Sequence, residues 1–128
     1  MKKISIQIGS ETTTAILLQE QAPNLCKAIW DVLPVETFAH HAKICNHELI
    51  IPMPLEGQAG WNENVKWPAA SDVGWWRTRN SAIVWYAKTK PLGPSPVFAK
   101  IVENLEGFKK EALKTWIKQG TRIRFSRS

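Results

Sequence analysis

Three groups of residues in this chain of 128 have types and spacing that carry chemistry. The first is His41, Lys43 and Glu48, which share one face if residues 38–51 form a hairpin turning at Asn46-His47, because strand side chains alternate between faces. In that pairing Cys45 opposes Glu48, Ile44 opposes Leu49, Lys43 opposes Ile50 and Ala42 opposes Ile51. Phe38, His40, Ala42, Ile44, Leu49 and Ile51 then face the core, and the His41 side is open to solvent or ligand. Imidazole titrates near neutrality, so His41 as a proton shuttle and Glu48 as the carboxylate that orients it would make an acid/base pair. The same residues also read as ordinary polar side chains on a solvated strand face.

The second group is Trp75-Trp76-Arg77. Neighbouring strand residues face opposite sides, so at most one of the two tryptophans fills an interior. The other, with Arg77 beside it and Trp61 or Trp67 folding over from a preceding loop, makes an aromatic wall with a cationic end. Such a wall suits a small planar or carboxylate-bearing ligand. A Trp-rich core with a partner interface fits these residues equally, since exposed Trp and Arg are enriched at interfaces.

The third group is basic: Lys109, Lys110, Lys114, Lys118, Arg122, Arg124 and Arg127 crowd the C-terminal quarter. Basic groups beside stacking aromatics describe a single-strand nucleic-acid binder. Here the helical lysines fall opposite an apolar stripe, as on any solvated face, so nucleic acid is the weaker reading. His40, His41 and His47 lie close in sequence, but alternation separates neighbours, and a closed zinc site would lack its fourth ligand unless Cys45 or Glu48 joined. No metal and no cofactor are therefore expected. Neither cysteine has an activating setting, and no G-x-S-x-G or phosphate loop is present.

These groups need elements to hold them. Ile4, Ile6 and Ile8 alternate with Ser5 and Gln7, and the chain turns at Gly9-Ser10 into residues 12–18, which reads as a hairpin. Pro23 suits a helix start, and Leu25, Ala28, Ile29, Val32 and Leu33 keep helical spacing until Pro34. Residues 52–70 are rich in Pro, Gly and Asn and read as a long loop carrying Trp61 and Trp67. Residues 72–76 and 81–89 read as strands, the second containing Trp85, which packing alone accounts for. Phe98, Ile101, Val102, Leu105, Phe108, Ala112 and Trp116 predict a helix from 98 to 116, weakened at Gly107, before a last strand over 121–125.

Seven Trp stand against one Tyr and four Phe, in a chain with net charge +6 that is 44% hydrophobic. That apolar content excludes a disordered chain, and two cysteines exclude a disulfide scaffold. The apolar stretch after Met1-Lys2-Lys3 is interrupted too early for an export signal, and no run is long enough to cross a bilayer as a helix. A cytoplasmic protein with reduced thiols is expected.

Ala22-Pro23-Asn24-Leu25-Cys26-Lys27-Ala28-Ile29-Trp30, after Ile16-Leu17-Leu18, resembles the strand and "A-P-K-T-x-x-N-F" helix of cyclophilins. Val97-Phe98-Ala99-Lys100-Ile101-Val102-Glu103-Asn104 resembles their "V-F-G-K-V-V-E-G" segment, and the short length and Asp72-Val73-Gly74-Trp75-Trp76 look like compact bacterial and archaeal cyclophilin-like proteins of unknown function. The resemblance implies a closed antiparallel β-barrel capped by helices. Prolyl isomerases also carry "F-H-R" and "Q-G-G" segments. Thr37-Phe38-Ala39-His40-His41-Ala42-Lys43 has no arginine and residues 50–57 have no Q-G-G, which argues against that activity.

The expectation is one mainly β domain over residues 1–128, with two helices and a cyclophilin-like barrel. It binds a small organic ligand through Trp61, Trp67, Trp75, Trp76, Arg77 and Lys43, with His41 and Glu48 catalytic if the ligand is turned over, for instance as a cyclic amide. A peptide-binding module and a homo-oligomer remain open.

Overall fold

In a computed structural model, which describes residues 2–55 and 60–128, Ile4, Ile6 and Ile8 are fully buried along β1 (Lys3–Ile8). Gly9, at φ 56, begins the turn into β2 (Glu11–Leu17), which pairs antiparallel with β1. Helix α1 (Pro23–Val32) buries Leu25, Cys26 and Ile29, and Pro34 follows its end. The chain continues through β3 (Val35–His41), β4 (Asn46–Pro52), the short β5 (Val65–Lys66), β6 (Asp72–Trp76), a 3-10 turn over Arg77–Arg79, and β7 (Ser81–Thr89). It ends with β8 (Ser95–Glu103), α2 (Leu105–Thr115) and β9 (Thr121–Arg127). Residues 56–59, inside the expected long loop, lie outside the described residues.

The strands join in the order β2-β1-β9-β3-β4-β7-β6-β8, and β8 pairs back onto β2, closing an eight-stranded antiparallel barrel with β5 added beside β8. This is the mainly β, two-helix, closed-barrel class the sequence predicts. The inward faces meet in one core whose largest fully buried side chains are Trp75, Tyr86, Phe98, Phe108 and Phe125. Each such side chain contributes about 1.5–3 kcal/mol relative to exposure. Helix α2 packs against β1, β2, β3 and β7, and Phe108 and Ala112 bury in the same core. Among the described residues no helix is long and apolar enough to cross a membrane.

Two expected elements are corrected. His40 pairs with Ile50 and His41 with Leu49, so β3 and β4 meet three residues out of the expected register. The turn lies over residues 42–45, and Ile44, expected in the core, is 78% exposed there. Asn46, at φ 66, starts β4 next to an irregularity in its pairing with β7 instead of forming the turn. A slip by an odd number turns every β3 side chain over, so Phe38 and His40 face outward while Ala39 and His41 are buried.

The expected helix from Phe98 splits in two. Val97, Phe98 and Ala99 are all buried because β8 is covered on both faces, a pattern that mimics a buried helix. Asn104, at φ 59, ends that strand and caps α2 by accepting a hydrogen bond from the Gly107 N–H at 3.2 Å. Gly107 therefore lies in the first turn, and Trp116 falls just past the helix, 42% exposed.

Candidate functional site

Strand β7 is buried on both sides. Val84 and Tyr86 belong to the barrel interior, whereas Ile83 and Trp85 join Val97 in a second cluster outside it. What covers that outer face is irregular chain. The segment bearing Trp61 is docked by the Glu63 carboxylate, which accepts from the backbone N–H groups of Asn24 and Leu25 at 3.0 and 2.9 Å at the start of α1. Asn64 donates to the Val97 carbonyl at 2.8 Å, and Ser95 Oγ donates to the Trp75 carbonyl at 3.2 Å. Between these segments and the barrel lies a cavity of ≈ 550 Å³.

Trp85, 3% exposed, forms its inner wall. The ring lies so close to Gly74 that a Cβ at that position would stand 2.6 Å from it. Glu48 opposes Trp85 across the β4–β7 ladder and accepts the indole Nε1–H on Oε1 at 2.7 Å. Burial pushes the Glu48 carboxyl pKa up, and the Trp85 hydrogen bond opposes the shift. Cys45 also lines the cavity; burial and the nearby Glu48 push its thiol pKa up, which is the reverse of what an attacking thiolate needs.

Trp76, 39% exposed, and Trp61, 45% exposed, form the outer wall. The Arg77 guanidinium lies over the Trp61 ring at 4.4 Å, and that of Arg79 over Trp76 at 5.5 Å. Arg77 is thus presented at the cavity on a stacked arm. Trp75 also lines the cavity, but it is 1% exposed and its side chain belongs to the core cluster.

The structure therefore gathers Glu48, Trp61, Trp75, Trp76 and Arg77 and leaves three expected residues elsewhere. Trp67 is 62% exposed and does not line the cavity. Lys43 donates to the Trp116 carbonyl at 2.6 Å and sits over that ring. His41, expected on the outward face beside Glu48, points inward because of the register slip, which separates the proposed acid/base pair. Its Nδ1 meets the Ala42 carbonyl at 2.7 Å and its Nε2 the Tyr86 hydroxyl at 2.5 Å.

Burial lowers the His41 pKa below its ordinary value of 6.5, outweighing the Ala42 hydrogen bond. The unfolded chain then binds this proton more readily than the folded one, so stability falls as pH drops through and below about 6.5. Thermal unfolding measured across that range should show the loss, and His41→Gln should flatten it; an unchanged slope would exclude His41 as its source.

The sequence reading missed Trp85 as a wall and residues 92–96 as a cover. A signal for Trp85 exists, since Ile83, Val84, Trp85 and Tyr86 are apolar on both faces and a strand of that kind is covered on both. Among the described residues no cluster of His, Cys, Asp and Glu is placed to hold a metal ion.

The barrel is similar to two solved structures. McbB in complex with tryptophan superposes with a TM-score of 0.77 at 18% identity over 98% of this chain, which spans only 44% of McbB. The hypothetical protein AF2241 from Archaeoglobus fulgidus superposes with a TM-score of 0.70 at 22% identity over 99% of this chain and 95% of its own. At such identities the likeness shows the fold alone, and neither establishes a cyclophilin relationship. No curated protein matches the chain significantly. A family model covers residues 4–127, and the chain belongs to that family, DUF3830, described as proteins of unknown function.

Proposed function

We propose that this protein binds a small organic molecule with a planar aromatic or cyclic-amide body and a carboxylate, held in the outer-face cavity. The observation that carries this reading is the ≈ 550 Å³ space walled by Trp61, Trp76 and Trp85 with Arg77 at its edge. Its volume falls within the roughly 300–1,000 Å³ typical of small-molecule sites. Indole faces supply apolar and stacking surface, and a guanidinium meets a carboxylate through two parallel hydrogen bonds. Tryptophan, the molecule bound in McbB, is a ligand of this description in a protein of similar fold. The cyclophilin resemblance enters only as architecture on this reading, because the prolyl-isomerase arginine has no counterpart in residues 37–43.

Calorimetric titration with indole-3-propionate tests the proposal. Arg77→Met should weaken binding about tenfold or more, the loss expected for a hydrogen bond to a charged group, without changing the melting temperature. Equal affinity in the variant would remove Arg77 from the site. If the parent protein binds neither indole-3-propionate nor L-tryptophan, the reading is overturned.

A further inference from the structure

Glu48 is a feature of this cavity that an aromatic carboxylate does not need. A carboxylate oxygen that opens into a largely apolar cavity favours a ligand that can donate to it. Glu48 is 8% exposed, and the one hydrogen bond its side chain makes among the described residues is the 2.7 Å contact from Trp85 Nε1 to Oε1. No donor among the described residues reaches Oε2, and the side chain lines the cavity. The cationic side chain of the lining, Arg77, is stacked over Trp61. The cavity thus offers an acceptor, Glu48, on the barrel wall and a donor, Arg77, at the 3-10 turn, together with the indole surfaces of Trp61, Trp76 and Trp85. A ligand bearing only a carboxylate would leave Glu48 Oε2 without a partner.

We infer that the ligand is amphoteric, an aromatic α-amino acid or a close relative, whose protonated nitrogen is received by Glu48 Oε2 while its carboxylate meets Arg77. This rests on the cavity being the binding site. Trp85 then acts twice, its ring as a wall and its N–H as the clamp that fixes Glu48 in one orientation and leaves Oε2 toward the ligand.

The charge state of Glu48 makes such binding sensitive to pH. Among the described residues the facing titratable groups are Cys45, from the turn before β4, and Arg77; β7 and residues 92–96 add no ionisable side chain to the lining. Glu63, on the segment that bears Trp61, is turned to the start of α1. Burial raises the Glu48 pKa, so an ammonium ligand should bind more tightly as pH rises through the range where this carboxyl ionises.

L-tryptophan, tryptamine and indole-3-propionate separate the possibilities in calorimetric titrations near neutral pH. L-tryptophan should bind most tightly, and Glu48→Gln should weaken tryptamine about tenfold or more while leaving indole-3-propionate unchanged or tighter. If indole-3-propionate matches L-tryptophan and Glu48→Gln alters neither, the amphoteric ligand is excluded and the aromatic-carboxylate site stands. If none of the three binds, the cavity reading falls with it. Should Glu48→Gln fail to fold, the parent protein decides: tryptamine affinity that does not rise with pH overturns the inference.

Discussion

Replacing Trp85 by alanine is expected to lower the melting temperature by roughly 10–25 °C and to abolish binding at the outer-face cavity. Truncating a buried Trp costs about 3–5 kcal/mol, and each kcal/mol moves the melting point of a chain this size by about 3–5 °C. The ring packs with Ile83, Val97, Leu18 and Ile50, so its removal opens the outer cluster to water. It also strips Glu48 of its hydrogen bond. Trp85→Phe isolates that second effect, since most of the apolar surface stays and the donor goes. It should cost about 1–3 kcal/mol, the penalty for leaving a buried group unpaired. Adding Glu48→Leu to Trp85→Phe should recover most of the loss, because a matched apolar pair leaves nothing unsatisfied. Thermal unfolding of the parent, Glu48→Leu, Trp85→Phe and the double variant reads the cycle. A Trp85→Phe variant as stable as its parent would show that the contact with Glu48 carries no weight in folding.

Gly74→Ala should destabilise the protein by about 1–3 kcal/mol, although alanine is ordinarily the better residue in a strand. The sign is set by space. A Cβ at position 74 would stand 2.5 Å from the Pro96 carbonyl oxygen and 2.6 Å from the Trp85 ring, and the first of these is backbone that cannot rotate away. Gly74 pairs with Val97 where the β6–β8 register shifts, so relief must come from the strand itself or from Trp85. Moving Trp85 deforms the cavity wall, and the same variant should lose affinity for an indole ligand. Gly93→Ala is the control, because nothing lies within 4 Å of its Cβ position. Equal melting temperatures for Gly74→Ala and the parent protein would show that the close approach is not needed.

The sequence carried the period-two signal for β1 and β9, while β2, β6 and β7 showed as β-branched or apolar runs bounded by turn residues or proline. Alternation also separated Trp75 from Trp76 correctly in kind: Trp75 fills the barrel and Trp76 faces out. The β3–β4 register was not legible, since Ile44 is an apolar residue spent on an exposed turn and Asn46 has a turn residue's backbone inside a strand. That one misplacement moved His41 and His40 to the wrong faces and with them the acid/base pair. Glu48 and Trp85 were each visible as residues, but their meeting depends on the β4–β7 ladder, a pairing of strands distant in sequence. The boundary at Asn104 was hidden for a different reason. β8 is apolar on both faces, so its period merges into that of α2 and only the left-handed residue between them marks the change.

Strand β9 lies between β1 and β3, pairing Phe125 with Ile6 on one side and with Val35 on the other. The seam between β2 and β8 likewise joins Thr14 to Glu103. During synthesis these early strands therefore wait, with unpaired edges, for segments that come later in the chain. Such distant pairings must pay loop-closure entropy before any contact repays it, which slows folding. Until β9 arrives, β1 and β3 are open templates for another chain. Closure of the barrel thus removes from the folded molecule the open edges that its partly made chain exposes to edge-to-edge association.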